Sequence, residues 1–295
     1  MPRGNTLKLW RDSGYLAEPT TDRELMATIG AIGTHSTGQR FAWRGMKSAD
    51  YPVCSSLHRA LGLDSDEVAA RRAEDLLIAQ AHEWGLGVTR LGIVDDLQLL
   101  ADLQHYGVPT RLIDVTSDPM TALWFACQRP SEAGVLKAGL VVALNITGFQ
   151  RKLALTAHDG TYATAAATHA STRRIALEAK DPFIVRAAEA NPRLAAQAGY
   201  FVTGSIPSDP SPVFPSIQIP YKSRSKPVEL LTARGQGQPE KFPFVAIVVP
   251  SRLKKRLLSH LDGTYNKSAR TLFPDFSGFR EFAAPGSSND PSKAV

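Results

Sequence analysis

Two continuous apolar runs place the strongest constraint on the fold of this chain. The segments GLVVALNI, residues 139–146, and FPFVAIVVP, residues 242–250, contain almost no polar side chains. A strand that is apolar on both faces must be covered on both faces, so each run predicts a central strand of a buried sheet. Helical patterns surround these runs without the regular strand–helix alternation of a doubly wound sheet. We therefore predict an α+β fold, with small mixed or antiparallel sheets and flanking helices.

The apolar pattern predicts one domain, over residues 20–284. An N-terminal extension precedes it at residues 1–19, and a polar tail predicted to be disordered follows at residues 285–295. Irregular insertions are predicted near residues 151–175, which are rich in Ala and Thr, and near residues 203–227, which are rich in Pro and Ser. The second insertion contains one short predicted strand, VFPSIQI.

The composition favours an anionic ligand or partner without specifying one. The chain has 295 residues and a net charge of +6, with no long basic run. No run approaches the ~18 apolar residues of a membrane span, and no spacing of histidines or cysteines is typical of a metal site. We therefore predict neither a metal nor a membrane partner. With two cysteines beside apolar residues, Cys54 and Cys127, and no secretory segment, a reduced cytoplasmic protein is expected.

A polar stretch, QHYGVPTRLIDVTSDP at residues 104–119, interrupts the core-forming sequence. It is either a functional site or a turn whose polar side chains are hydrogen-bonded for structural reasons. Asp118 fits the cap of the following helix. His105 lies near a predicted helix C-terminus, where it either stabilises the helix end or moves a proton. Arg111 and Asp114 either pair with each other or contact a ligand.

Four segments together resemble the FRG domain family, which is named for an aromatic-Arg-Gly motif. They are FAWRG at residues 41–45, LQHYGVPTRLIDVTSDPMTALWFA at 103–126, NPRLAAQAGYF at 191–201 and TLFPDFSGF at 271–279. The motif itself is Trp43-Arg44-Gly45. Val115 stands where the family pattern has an aromatic residue, so no stacking role is expected there. This resemblance implies a family and its boundaries more readily than an activity.

A second similarity is to ADP-ribosyltransferase folds, and it implies an activity. These enzymes carry an Arg or His on an early strand, a Ser/Thr-Ser element before a helix that often reads Ala-x-x-Phe-Ala, and a Glu or Gln on a later strand. Arg44 and the pair Thr116-Ser117 fit the first two positions. Gln197, Glu229 and Glu240 are the alternatives for the third.

The implied substrate is NAD, whose cleavage passes through a cation on the ribose, as in glycoside hydrolysis. Arg44 would supply a planar, permanently charged contact for phosphate or ribose oxygens. Thr116, Ser117 and Gln197 complete the expected catalytic set. The following residues are predicted to bind the substrate: Trp43, Gly45, His105, Tyr106, Thr110, Arg111 and Asp114.

Two main functions remain open from the sequence, and a third, a metal-independent nuclease using His105 and Arg111, has the right residue types but no diagnostic spacing. The first is an ADP-ribosyltransferase-like or NAD-hydrolysing enzyme, acting as a bacterial toxin or defence effector. The second is a non-catalytic module that binds nucleic acid or a protein, which requires basic residues gathered on one face. The candidates for that face are Arg173, Arg174, Lys222, Arg224, Lys226, Arg252, Lys254, Lys255 and Arg256.

Overall fold

The structure is a computed structural model, and it describes residues 6–36, 38–89, 92–129, 137–154, 162–187, 191–224 and 241–283. Helices flank one mixed sheet, which confirms the predicted α+β class. The helices are α1 (Thr6–Ser13), α2 (Asp22–His35), α3 (Ser56–Leu61), α4 (Glu67–Glu83), α5 (Asp96–His105), α6 (Pro119–Cys127), α7 (Tyr162–Glu178), α8 (Pro192–Ala196), α9 (Lys254–Tyr265), α10 (Ala269–Leu272) and α11 (Phe276–Phe282).

The main sheet has eight strands in the order β1-β10-β6-β2-β5-β9-β8-β7. The strands are β1 (Leu16–Ala17), β2 (Phe41–Met46), β5 (Ile113–Thr116), β6 (Gly139–Asn145), β7 (Gln150–Ala154), β8 (Phe183–Ala187), β9 (Gly199–Thr203) and β10 (Phe244–Val249). β1 runs parallel to β10, and β7 runs parallel to β8, while the other neighbours are antiparallel. A separate hairpin is formed by β3 (Val88–Thr89) and β4 (Gly92–Ile93).

The two apolar runs form β6 and β10, which pair with each other as interior strands of the sheet, as their apolar faces predict. Every residue of β10 is buried, and so is every residue of β6 except Asn145. The larger core cluster gathers around these strands, β2 and α6. A smaller cluster fills the space between α4, α5, α7 and the strands β8 and β9. The strand order puts β2 and β5 in the middle of the sheet, and apolar residues of both strands belong to the larger cluster.

Helix α6 lies so close to the sheet that it explains the glycine of the aromatic-Arg-Gly motif. A Cβ atom on Gly45 would lie 1.8 Å from the main-chain oxygen of Ala122, and one on Gly139 would lie 2.1 Å from that of Ala126. As predicted, the Asp118 side chain caps this helix by accepting a hydrogen bond from the Met120 N–H at 2.9 Å. The missing side chains at the two glycines let α6 pack directly on β2 and β6.

One of the two predicted irregular regions contains regular secondary structure. Residues 150–154 form β7 and residues 162–178 form α7, so the prediction of irregular structure there is wrong. The weak apolar pattern of α7 did not predict a helix, because ion pairs of Arg173 contribute to its attachment while Ala176 and Leu177 pack into the smaller cluster. The predicted strand VFPSIQI is also wrong: Phe214 makes only an isolated bridge, to Ser211, although its ring is buried in the core.

The N-terminal segment contributes to the core and to the sheet. Within the predicted extension, Trp10 is fully buried and β1 pairs with β10. Residues 285–295, and parts of the two predicted insertions at 155–161 and 225–227, lie outside the described residues. Cys54 and Cys127 are buried and not disulfide-bonded, as expected.

Candidate functional site

A cavity of about 250 Å³ lies where the sheet begins to split. β2 pairs with β6 along its whole length, but it pairs with β5 only at Trp43 and Thr116. The two strands separate beyond that pair, and side chains rather than backbone fill the gap. The cavity is lined by Trp43, Arg44, Gly45, Ala101, Gln104, His105, Asp114, Val115, Thr116, Thr121, Ala122, Phe125, Asn191, Arg193, Leu194, Gln197 and Phe201.

Arg44 reaches across the gap from β2. Its Nη1 atom donates to the main-chain oxygen of Asp114 at 2.5 Å and lies 3.7 Å from the carboxylate Oδ2 of the same residue. Its Nε atom is buried and has no hydrogen-bond partner among the described residues. Burial lowers the pKa of Arg44, which nonetheless remains a cation because its ordinary pKa is so high. A buried donor without an acceptor is costly, and on a residue that lines a cavity it is a candidate contact for a ligand oxygen.

Thr116 and Gln197 meet at the far wall of the cavity. The Thr116 hydroxyl donates to the main-chain oxygen of Gln197 at 2.7 Å and accepts from the N–H of Asp118 at 2.9 Å. The Gln197 side-chain nitrogen donates to the main-chain oxygen of Leu272 at 2.9 Å. Thr116 is therefore fully used in joining β5, α6 and the start of β9. Its hydroxyl positions the wall, whereas the amide oxygen of Gln197 receives no hydrogen bond from the described residues.

His105 ends α5 and lines the same cavity. Its Nε2 atom lies 3.7 Å from the Oδ2 atom of Asp275, so the two form an ion pair when the imidazole is protonated. Its position suits both of the predicted roles, the helix end and the proton carrier. The neighbouring Tyr106 does not line the cavity and is 79% exposed.

Arg111 lies away from the cavity, and its predicted pair with Asp114 is wrong. It is buried against Glu74, whose carboxylate accepts from Nε at 2.7 Å, and against Glu67 at 3.2 Å. Side chains on an extended segment alternate between faces, so residues three apart point in opposite directions. Asp114 consequently meets Arg44 on one side of β5, while Arg111 meets the acidic face of α4 on the other.

Two other predicted residues support the cavity from outside it. The Thr110 hydroxyl donates to the side-chain oxygen of Gln104, which does line the cavity. Ser117 is exposed, and its hydroxyl donates to the main-chain oxygen of Ala198 at 3.3 Å. Trp43 and Gly45 line the cavity, and Gly45 does so because α6 approaches it closely. Glu229 and Glu240 lie outside the described residues.

Sequence reasoning missed Arg193, the second cation of the cavity. It lies on the short helix α8, whose cap is the Asn191 side chain, which accepts from Leu194 N–H at 2.7 Å. The guanidinium carbon sits 4.3 Å from the centre of the Phe273 ring. No described residue accepts a hydrogen bond from the Arg193 side chain, and none forms an ion pair with it. The motif NPRLAAQAGYF contained the residue, but only the tertiary fold brings α8 opposite Arg44.

The basic residues considered for a nucleic-acid surface do not all reach solvent. Arg173 is 6% exposed and paired with Glu74, Asp75 and Asp96. Lys254 is 1% exposed, and its Nζ atom donates to the main-chain oxygens of Lys47 and Gln128, so its prediction as part of an exposed basic face is wrong. Burial lowers the pKa of Lys254. These two cations are unavailable to a phosphate backbone.

Comparison with family models finds one domain in the chain. The FRG domain family model matches residues 39–134, so the chain carries an FRG domain, which supplies β2 to β5 and α3 to α6 of the fold. No curated protein and no solved structure matches the chain. Among the described residues, no group of three or more His, Cys, Asp or Glu side chains is arranged to hold a metal ion. The helices found in the described ranges are all too short or too polar to cross a membrane.

Proposed function

We propose that this FRG-domain protein is an ADP-ribosyltransferase-like enzyme that cleaves NAD between the ribose and nicotinamide. The observation that carries the proposal is Arg44, which lines a cavity together with Asp114 and Gln197 and has a buried Nε without a hydrogen-bond partner among the described residues. These residues belong to β2, β5 and the turn before β9, which are neighbours in the sheet. The order of an arginine, a hydroxyl element and a later amide along the chain agrees with the similarity described above.

Cleavage of NAD requires a carboxylate close to the group that binds the phosphate or ribose oxygens. When the ribose–nicotinamide bond breaks, its electron pair goes to the pyridinium nitrogen, and neutral nicotinamide leaves. The remaining ribosyl cation is stabilised by a nearby negative charge. The Asp114 carboxylate is 63% exposed and lies 3.7 Å from Arg44, so it is accessible to such a cation. Water, or a nucleophile on an acceptor molecule, then bonds to the ribose carbon and loses its proton to solvent or to Asp114.

In this arrangement each cavity residue has a separate task. Arg44 holds a phosphate or ribose oxygen through Nε, while its Nη1 stays fixed to Asp114. Gln197 accepts from a ribose hydroxyl, because its amide nitrogen is already engaged with Leu272. Thr116 acts by positioning Gln197. The activity suits a toxin or defence effector, since depletion of NAD arrests a cell.

The test is release of nicotinamide from NAD by the purified full-length protein. Arg44→Ala should abolish release while leaving the thermal unfolding transition in place. Asp114→Asn should lower the rate and leave NAD affinity nearly unchanged, since the main-chain contact to Arg44 remains. The matched control is Arg11→Ala, which removes an exposed arginine paired with Glu18. If the wild-type protein neither binds NAD nor releases nicotinamide, the proposal is wrong. Binding of NAD without cleavage would favour the non-catalytic module.

A further inference from the structure

A second cavity, of about 630 Å³, lies beside the C-terminal helix α11. Its walls include two strongly exposed aromatic rings, Phe276 at 95% and Phe279 at 65% exposure. Arg270 lines the same cavity. Exposed aromatic rings that lie side by side form an apolar patch on the surface. Such patches are typical of binding sites.

The second cavity shares a wall with the first cavity, which is the one lined by Arg44. Phe273 and Asp275 line the second cavity. On the other side of them, the Phe273 ring packs 6.0 Å from that of Phe125 and 4.3 Å from the guanidinium carbon of Arg193, and Asp275 meets His105. Phe125, Arg193 and His105 all line the first cavity. A ligand longer than the first cavity therefore passes over Arg193 and arrives at the phenylalanine rings.

The first cavity is too small for a whole dinucleotide. Sites for small molecules typically enclose ~300–1,000 Å³. At about 250 Å³ the first cavity accommodates one end of such a ligand, and the second, at about 630 Å³, has room for the other. In a dinucleotide, a diphosphate joins the two nucleoside halves. If each half occupies one cavity, the diphosphate lies at the boundary between the cavities, where a cation would neutralise its charge. Arg193 occupies that boundary and has no acidic partner among the described residues.

We propose that the second cavity is the nucleobase subsite of the same dinucleotide site, with Arg193 holding the diphosphate between the two cavities. This inference rests on the proposed function for the identity of the dinucleotide. The base stacks on Phe276 and Phe279, because every nucleobase presents a π face to an aromatic ring. The planar guanidinium of Arg193 contacts two phosphate oxygens at once, a geometry that lysine does not reproduce.

The first experiment measures the affinity of the full-length protein for NAD, AMP and nicotinamide mononucleotide by calorimetry. In the double variant Phe276→Ala/Phe279→Ala, affinity for NAD and AMP should fall about 10-fold or more. Affinity for nicotinamide mononucleotide, which lacks the adenosine half, should remain unchanged. Phe276→Tyr/Phe279→Tyr keeps the stacking faces and should restore binding. Trp84→Ala is the matched control, since Trp84 is 85% exposed and lines neither cavity.

The outcomes separate this inference from the proposed function. Unchanged NAD and AMP affinity in the double alanine variant overturns the subsite, even if nicotinamide release continues. If that variant instead loses self-association or a protein partner, the face is a protein-docking surface and the subsite is again overturned. AMP binding that depends on the two rings supports the subsite even if the protein releases no nicotinamide. Failure of the wild-type protein to bind either NAD or AMP overturns both proposals.

A second experiment isolates Arg193. Arg193→Ala should weaken ADP binding about 10-fold, because a charge-assisted contact to phosphate is lost, and should leave adenosine binding unchanged. Arg11→Ala serves again as the exposed control. Equal losses for ADP and adenosine would place Arg193 in a purely structural role and contradict its contact with the diphosphate.

Discussion

The guanidinium of Arg44 is fixed to the main-chain oxygen of Asp114, at 2.5 Å from Nη1, across the point where two neighbouring strands separate. The contact uses one donor and orients the rest of the group. Its Nε remains buried and without a hydrogen-bond partner among the described residues, at the edge of the cavity that Arg44 lines. Because the acceptor is a main-chain oxygen, the orientation of Arg44 depends on the path of β5 and not only on the carboxylate of Asp114.

Arg44→Lys should therefore abolish function while keeping the charge. A lysine ammonium is a flexible point charge that cannot hold the Asp114 oxygen and present a second, oriented donor at the same time. We expect nicotinamide release to fall about 100-fold, as for removal of one oriented donor from other active sites. Steady-state kinetics with Arg11→Lys as the control would measure it. Activity within about threefold of the wild type would show that charge alone is sufficient.

Thr116→Val should destabilise the protein. The substitution removes the hydroxyl that accepts from Asp118 N–H and donates to the Gln197 oxygen, and leaves both main-chain groups without that partner. A loss of ~2 kcal/mol in the free energy of unfolding is expected from urea titration. Thr116→Ser, which keeps the hydroxyl, is the control and should lose much less. Equal stability of the two variants would mean that water replaces both bonds.

Gly45→Ala should prevent correct folding. The added Cβ would meet the Ala122 oxygen at 1.8 Å, and that oxygen belongs to helix backbone that cannot move without displacing α6. We expect a loss of several kcal/mol, at or beyond the whole stability of a typical domain of ~5–15 kcal/mol. Gly33→Ala on α2 provides the contrast, because a Cβ added there would have nothing within 4 Å, and it should stabilise by ~0.5–1 kcal/mol. Soluble yield and thermal unfolding distinguish the two.

Asp96 should make stability depend on pH. Burial raises its pKa to about 6, against the partial opposition of Arg173. Between pH ~4 and ~6 the native state binds more protons than the unfolded state, so the free energy of unfolding falls as pH rises through this range. The accumulated loss is ~3 kcal/mol above pH 6.

Asp96→Asn tests the same point by removing the titrating group. Urea unfolding at several pH values should show the wild type losing stability relative to the variant as pH rises from ~4 to ~6. Arg173 keeps its pairs with Glu74 and Asp75 in the variant, so the helix α7 should stay attached. Parallel stability curves for the two proteins would contradict the raised pKa.

The sequence predicts those features that depend on local pattern. The two central strands and the cap of α6 by Asp118 follow from apolar runs and capping chemistry, and both are confirmed. Arg44 also lies against the polar stretch, through its hydrogen bond to the main-chain oxygen of Asp114. The catalytic roles of these residues remain predictions.

The missed features depend on contacts between distant segments. The sequence did not predict helix α7, because ion pairs with distant residues contribute to its attachment. Asp75, one of the partners of Arg173, is 98 residues away in the chain. Arg111 was assigned to the wrong carboxylate because Glu74, its true partner, lies 37 residues earlier. Arg193 enters the cavity only through the packing of α8 beside β9.

The cavity takes its two walls from separate stretches of the chain. The stretch that matches the FRG family, residues 39–134, contributes Arg44, Asp114 and Thr116, while Arg193 and Gln197 come from beyond it. The matched stretch on its own therefore builds only one wall. The cavity is complete only when the later stretch has folded against it.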